Sequence, residues 1–285
     1  MIDGPTTRYA AAIKVATGDE ARAAVRMLKG RGVDMIKTQS LIPRDAYFAL
    51  ADEAARIGIP FEGHVPNAIT GMEAVAANQR SFEHLLGVRD TALTLIAELA
   101  RKHVWQCPTV VNSVGTAADF TSDPGVPFWL KQPVEAWRRT AATRASESDS
   151  VARAAEERAT RRLGLIKTMY DAKIPFLAGT DAPQGYDLVP GASLHRELQL
   201  FVRAGLTPLQ ALQTATLNPA IYFGKTAEWG TIAPGKAADL VVLRANPLID
   251  IANSRAVAAV VADGRYYSPR ELDRMRLHIM ELAGK

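Results

Sequence analysis

The chain has 285 residues, of which 48% are hydrophobic and 22% are charged. This composition is typical of a globular protein and excludes collagenous, intrinsically disordered and disulfide-rich classes. With 34 Lys and Arg against 30 Asp and Glu, the formal net charge is +4, which is too small an excess to indicate a nucleic-acid partner. The single cysteine, Cys107, cannot form an intramolecular disulfide, so the fold depends on its core, with or without a metal ion.

The sequence contains no run of 18 or more apolar residues, the length that a membrane-spanning helix needs. Its first residues also lack the apolar run of a signal peptide. The sequence as written therefore predicts a cytoplasmic protein with no membrane partner, unless a signal lies on a longer N-terminal portion.

One pattern recurs from residue 17 to residue 182: an amphipathic helix, a break at glycine or polar residues, and a short apolar strand that ends in a polar residue. This alternation is typical of βα units. Helices are predicted to begin at Thr17, Pro43 and Thr70, and glutamates three residues after the two threonines indicate capping boxes. Another helix is predicted over residues 91–103.

Five predicted strands end at polar positions, which are Lys37, His64, His84, Thr109 and Asp181. The first four ends are 20 to 27 residues apart, a spacing that suits the units of a (β/α) barrel, which average roughly 31 residues. The last interval is much longer. We expect its residues, about 112–172, to form a helical insertion that covers the mouth of the barrel as a lid.

After Asp181 the pattern predicts a helix over 194–205 and a second one from Thr207 to Gly224, followed by short β runs with an Asp263-Gly264 hairpin turn. The fold class is therefore α/β, an incomplete TIM-type (β/α) barrel of about five C-terminal βα units with a small C-terminal β appendage. The predicted domains are a partial barrel over 1–228 with its lid insertion, a β-sheet appendage over 229–270, and a C-terminal helix over 271–285.

Four titratable residues each close a separate predicted strand, where α/β barrels hold their catalytic groups. They are Lys37, His64, His84 and Asp181. Strand alternation predicts that His84 shares a face with Phe82. Two imidazoles and a carboxylate are suitable ligands for Zn or a similar divalent ion, whereas a lysine ammonium group has no lone pair and must be deprotonated or modified before it can bind one.

Several ordered segments across nearly the whole chain resemble the metal-dependent amidohydrolase superfamily, in particular its imidazolonepropionase-like and prolidase-like branch. They are GVDMIKTQ, GHVP, SFEHL, LAGTDAP, GLTPLQALQTATLNPAIYFG, GTIAPGKAADLVVL and VVADGR. The resemblance implies that an N-carboxylated Lys37 bridges two metal ions and that His64 and His84 bind one of them. It also implies that Asp181 binds the other ion and is the catalytic residue that takes a proton from the attacking water.

The sequence departs from the family pattern in one respect, because members carry a His-x-His pair at the end of the first barrel strand. The five histidines here are His64, His84, His103, His195 and His278, and no two are two positions apart. We therefore interpret the chain as the C-terminal two-thirds of an amidohydrolase that retains at most one well-held metal ion. The expected cofactor is a divalent metal ion, with Zn as the preferred candidate.

Asn112, Gln184 and Tyr186 follow predicted strand ends and are candidates for substrate binding. The expected substrate is a small molecule or a peptide-like compound whose amide, peptide or cyclic-amide C–N bond is attacked by metal-bound hydroxide. The alternative is a catalytically inactive remnant that serves as a folded binding or assembly module. In both cases the first sheet edge, near Val33 to Lys37, is predicted to be open, which favours a homo-oligomer or pairing with another chain.

Overall fold

The structure is a computed structural model that describes residues 1–88, 93–114, 149–182, 188 and 190–283. The chain divides into two compact units. The first consists of Met1–Pro108 and Thr168–Leu177, and the second of Thr109–Lys167 and Ala178–Lys285.

A six-stranded sheet forms the first unit, and every pair of neighbouring strands in it is parallel. The strands are β1 (Ile2–Asp3), β2 (Ile13–Lys14), β3 (Ile36–Thr38), β4 (Phe61–Gly63), β5 (Ser81–Glu83) and β6 (Trp105–Cys107). Their order across the sheet is β2-β1-β3-β4-β5-β6. An isolated bridge between Gln106 and Phe176 continues the parallel pairing beyond β6.

Helices connect the later strands of this sheet, as βα units require. They are α1 (Gly18–Gly30), α2 (Arg44–Arg56), α3 (Gly71–Ala76) and α4 (Leu93–Arg101). Thr17 and Thr70 form the capping boxes that the sequence predicted before α1 and α3. The buried residues of α1 recur every three or four positions, for example Ala21, Val25 and Leu28, so one face of the helix is removed from water.

The backbones of β3 and β4 approach closely at Gly63. Gly63 has a φ of +114°, and a Cβ atom built at this position would lie 2.6 Å from the carbonyl oxygen of Thr38. The Thr38 hydroxyl lies 2.8 Å from the carbonyl oxygen of Glu62 and 2.9 Å from that of His64, to which it can donate. This pairing sets the path of the chain as it leaves β4.

The second unit contains further helices and a small antiparallel sheet. Its elements in chain order are α5 (Val111–Val114), α6 (Asp149–Asp171, which ends among residues of the first unit), α7 (Ala192–Arg203), α8 (Pro208–Ala215), α9 (Leu217–Tyr222), β7 (Leu240–Leu243), a 3-10 helix (Ile251–Arg255), β8 (Val257–Ala262), β9 (Arg265–Tyr267) and α10 (Pro269–Ala283). β8 pairs with both β7 and β9. Asp263 and Gly264 both have positive φ, as the predicted hairpin turn requires.

The α/β fold class, an incomplete TIM-type barrel with a small β-sheet, is confirmed. The predicted open edge near Val33 to Lys37 is wrong, because β1 pairs with β3 through Ile2 and Thr38, and β2 lies outside β1. The sequence did not predict β1 and β2 because a strand of two residues is too short to show a periodic pattern. The predicted fifth strand, which was to end at Asp181, is reduced to the single bridge at Phe176.

The helix predicted from Thr207 to Gly224 is two helices, α8 and α9, which meet at Thr216. Pro219 lacks the N–H that a continuous helix would need at that position.

Residues 149–171 are helical, within the predicted helical insertion, whereas 115–148 lie outside the described residues. The three-domain division and the lid function remain predictions. Every helix in the described ranges is too short or too polar to cross a lipid bilayer.

Candidate metal centre

Three side chains capable of binding a metal ion converge just after β4 and at the end of β5. They are His64, Glu83 and His84, each of which offers one ligand atom within 4.8 Å of the other two. The Nε2 atoms of His64 and His84 lie 3.9 Å and 3.6 Å from the same oxygen, Glu83 Oε2. The two imidazole rings are nearly perpendicular, with centroids 4.7 Å apart. We call these three residues the His-Glu-His cluster.

Lys37 reaches the same cluster from β3, where its Nζ contacts Glu83 Oε2. The structure therefore brings Lys37, His64 and His84 to one place, as their positions at the ends of parallel strands predicted. Their roles as metal ligands remain predictions. The Glu83 and histidine side chains are 14 to 17% exposed, so the cluster is shielded yet accessible to a small ion.

Glu83 is a residue that the sequence analysis missed, and the backbone at His84 explains why. β5 ends at Glu83, and His84 has a φ of +59°. The alternation of a strand therefore stops before His84, and the predicted common face of Phe82 and His84 is wrong. Phe82 is fully buried in the core, while two consecutive residues, Glu83 and His84, both reach the cluster. In the sequence, the one sign of its role was its position directly before His84 in the segment SFEH.

Ser40 orients the His64 ring, because its Oγ lies 2.7 Å from His64 Nδ1. A hydrogen bond at Nδ1 leaves Nε2 as the atom that faces Glu83 and His84, and bonds of this kind fix the orientation of histidine ligands in metal sites. Burial, followed by the charge of neighbouring His84, lowers the pKa of His64 to about 4. His64 is therefore neutral at physiological pH, which is the form that binds metal ions.

A buried amide holds β4 and β5 together behind the cluster. The Nε2 atom of Gln79 donates to the carbonyl oxygens of Gly63 and Ser81, each at 3.0 Å. Its Oε1 accepts from the hydroxyl of Tyr47 at 2.7 Å. Tyr47 and Gln79 are at most 1% exposed, so these hydrogen bonds are protected from water and help to fix the strand ends that carry His64 and Glu83.

Asp181 and Asn112 lie together in the second unit. The Nδ2 atom of Asn112, on α5, donates to Asp181 Oδ2 at 3.2 Å. Asp181 has a φ of +60°, so the regular backbone of a strand does not continue through it. The other two candidate substrate-binding residues, Gln184 and Tyr186, lie outside the described residues.

The donor atoms of the His-Glu-His cluster suit a divalent cation. Two imidazole nitrogens and one carboxylate oxygen form a ligand set that zinc uses in catalytic sites, where a fourth position is left for water or substrate. The ammonium group of Lys37 cannot be a ligand in its protonated form, but as a carbamate it would offer anionic oxygens. The residues present therefore fit a metal ion of the zinc type.

Comparisons with known proteins place these observations in context. The amidohydrolase family profile matches residues 35–266. Ochratoxinase of Aspergillus niger is 28% identical over 254 residues, which is 82% of this chain and 45% of that protein. The solved structure of a bottromycin amidohydrolase has a TM-score of 0.72 and 27% sequence identity, and covers 99% of this chain and 66% of its own.

A solved Xaa-Pro dipeptidase with bound methionine has a TM-score of 0.63 at 21% identity, with 90% of this chain and 59% of its own covered. At this identity the likeness supports the fold alone. The chain thus spans about half the length of the curated relative and about two-thirds of the bottromycin amidohydrolase chain.

Proposed function

Because the chain belongs to the amidohydrolase family, we propose that it is a metal-dependent hydrolase of an amide, peptide or cyclic-amide C–N bond. The observation that carries the proposal is the convergence of His64, Glu83 and His84 at neighbouring strand ends. A barrel of this class holds its catalytic groups at that end of its strands.

His64 and His84 would hold the cation through their imidazole nitrogens, together with anionic oxygen from Lys37 or Glu83. A divalent ion bound there supplies a Lewis acid that polarises a carbonyl group and lowers the pKa of water. The protein's own contribution is to hold the imidazole rings in place, with His64 in its neutral form. Ser40 does this for His64, since its hydroxyl engages Nδ1.

The family resemblance implies a carbamate on Lys37. The contact between Lys37 and Glu83 limits when this carbamate can form. For carboxylation, the Lys37 ammonium group first loses one proton, and the neutral amine then joins CO₂ with loss of a second proton, so that a cation becomes an anion. An anion there would repel Glu83 unless a cation lay between them. We therefore expect Lys37 to be an ammonium ion paired with Glu83 without metal, and a carbamate only in the metal-loaded protein.

Asp181 is the proposed catalytic base, which takes the proton of the attacking water. Asn112 donates to one of its carboxylate oxygens, so the two side chains face each other. The same amide group, which is solvent-exposed, is a candidate contact for the polar part of a substrate.

The substrate class that we propose is a small acylated amine or a short peptide. One of the similar proteins, the bottromycin amidohydrolase, carries a name that refers to such a bond. A homo-oligomer also remains a proposal.

The decisive experiment measures hydrolysis of a panel of dipeptides and N-acetyl amino acids by the zinc-supplemented protein in bicarbonate buffer. We expect turnover by the wild type and at least about hundredfold less by His84→Ala, because a ligand is lost. Glu98→Gln, on the exposed surface of α4, is the matched control and should retain wild-type rates. Equal rates for His84→Ala and the wild type would exclude hydrolysis at this cluster.

The alternative is an inactive amidohydrolase remnant that acts as a binding or assembly module. In that case the protein would keep the His-Glu-His cluster but would not turn over substrate. Zinc binding without turnover of any substrate in the panel would support this alternative. Turnover that depends on His84 would exclude it.

A further inference from the structure

We propose that Glu197 is a positioning residue for Asp181, because it fixes the start of α5 and thereby the side chain of Asn112. The inference rests on the proposed function only for the role of Asp181. All the residues involved lie in the second unit, and none belongs to the His-Glu-His cluster.

Glu197 is a carboxyl group buried completely inside the protein, on the inner face of α7. A buried carboxylate is costly unless hydrogen bonds compensate for the lost water. Its Oε1 accepts from the backbone N–H of Val110 at 2.9 Å, and its Oε2 accepts from that of Val111 at 2.7 Å. Both oxygens thus bind consecutive amides at the start of one short helix.

This helix, α5, has only four residues and depends on such support. The first N–H groups of a helix have no partners within the helix, and so short a helix is unstable by itself. The residue before Val110, Thr109, has a φ of +45°, an uncommon conformation for a threonine. Glu197, more than 80 residues later in the chain, supplies the partners that hold this turn in place.

Asn112 immediately follows the two amides that Glu197 binds. Its side chain is exposed, and an exposed hydrogen bond contributes little by itself to fixing an orientation. The 3.2 Å contact with Asp181 therefore depends on the backbone that carries Asn112. Because Glu197 holds that backbone, loss of its two hydrogen bonds should loosen the Asn112 side chain although the two side chains do not share a hydrogen bond.

The helix that carries Glu197 is itself anchored. His195, two residues earlier on α7, has Nδ1 at 3.0 Å from Oγ of Ser254 on the 3-10 helix. Ser254 is 5% exposed. This second contact gives a matched control, since it belongs to the same helix but does not involve α5.

The test uses NMR of the ¹³C,¹⁵N-labelled, metal-free chain of 285 residues and compares wild type, Glu197→Gln, Asn112→Ala and His195→Gln. Glutamine is isosteric but keeps only one acceptor oxygen, so at least one of the Val110 and Val111 amides should exchange at least about tenfold faster, which corresponds to about 1.4 kcal/mol. The Asn112 side-chain amide signals should move toward those of an unbonded amide. The ¹³Cγ signal of Asp181 should shift with them.

Asn112→Ala should reproduce the Asp181 shift while the Val110 and Val111 amides stay protected, and His195→Gln should leave all of these signals unchanged. A folded Glu197→Gln protein with unmoved Asn112 and Asp181 signals would overturn the inference. If Glu197→Gln does not fold, Glu197→Asp gives the same comparison. Val110 and Val111 amides that exchange in the wild type as fast as in an unstructured peptide would overturn the inference without any variant.

These signals require no turnover. Absence of hydrolysis therefore counts against the proposed function alone, and unmoved signals count against the positioning role alone.

Discussion

Lys37 and Glu83 form an ion pair across two strand intervals of the parallel sheet, from β3 to β5. The same Glu83 oxygen faces the Nε2 atoms of both cluster histidines. The Glu83 carboxylate is therefore adjacent to Lys37, His64 and His84, and its removal should affect all three side chains.

The first prediction concerns this carboxylate. Glu83→Gln should weaken zinc binding by about 10- to 100-fold, since a neutral amide replaces an anionic donor beside two imidazoles. Isothermal titration of the metal-free protein with zinc measures the change. Glu98→Gln serves as the control, and an unchanged affinity in Glu83→Gln would show that Glu83 does not contribute to the site.

The second prediction concerns the orientation of His64. Ser40→Ala removes the hydroxyl that contacts Nδ1, and zinc affinity should fall by about tenfold or more. Ser40→Thr retains a hydroxyl group and should recover part of the affinity. If Ser40→Ala binds zinc as tightly as the wild type, the orientation of His64 does not depend on this hydrogen bond.

The third prediction concerns the state of Lys37. Protein equilibrated with ¹³C-bicarbonate should show a carbamate ¹³C signal when zinc is present and lose it after chelation, because only a cation can offset the repulsion between a carbamate and Glu83. Lys37→Arg should give no signal under either condition. A carbamate signal that persists without metal would contradict this account.

The fourth prediction concerns pH. The folded protein holds His64 neutral down to a pKa of about 4, whereas the unfolded chain takes up a proton below the ordinary value of 6.5. The unfolded state therefore binds more protons, and the free energy of unfolding should fall as pH decreases from about 6.5 to about 4, by about 3 kcal/mol in total.

Urea unfolding of the metal-free protein at about pH 7.0, 5.5 and 4.5 measures how the free energy of unfolding depends on pH. This dependence should be smaller in His64→Gln. His278→Gln, at an exposed position of α10, controls for the loss of a histidine. An equal slope in His64→Gln and wild type would contradict the assignment.

The fifth prediction separates stability from metal binding. Tyr47→Phe leaves Gln79 Oε1 buried without the hydroxyl that donates to it, which should lower the free energy of unfolding by about 1 to 3 kcal/mol. Zinc affinity should change less than twofold, because Gln79 Nε2 keeps its bonds to Gly63 and Ser81. Tyr266→Phe, at an exposed position of β9, is the matched control. A large loss of zinc affinity in Tyr47→Phe would show that the network shapes the cluster directly.

Helix starts were predictable from the sequence because their signals are local. A threonine with a glutamate three residues later, as at Thr17 and Thr70, forms its hydrogen bonds within one turn. The convergence of Lys37, His64 and His84 was predictable for a different reason, since parallel strands bring their carboxyl ends to one edge of the sheet.

The features that the sequence did not predict depend on contacts between distant residues. Ile2 joins the sheet by pairing with Thr38, and a strand of two residues leaves no pattern in the sequence from which that pairing could be predicted. Glu83 was missed because the strand pattern continues through His84 in the sequence, while the left-handed backbone at that residue ends it in the structure. Glu197 could not be linked to Val110 and Val111 without knowledge of how α7 packs.

The close approach at Gly63 has a consequence for the evolution of this cluster. Any side chain at position 63 would both require an unfavourable backbone and collide with Thr38, so mutational drift there is blocked whatever chemistry the protein performs. Its neighbours Glu62 and His64 already carry side chains, so this restriction to glycine does not apply to them. We therefore expect the backbone that presents His64 to stay constant in related proteins even where the side chains around the cluster differ.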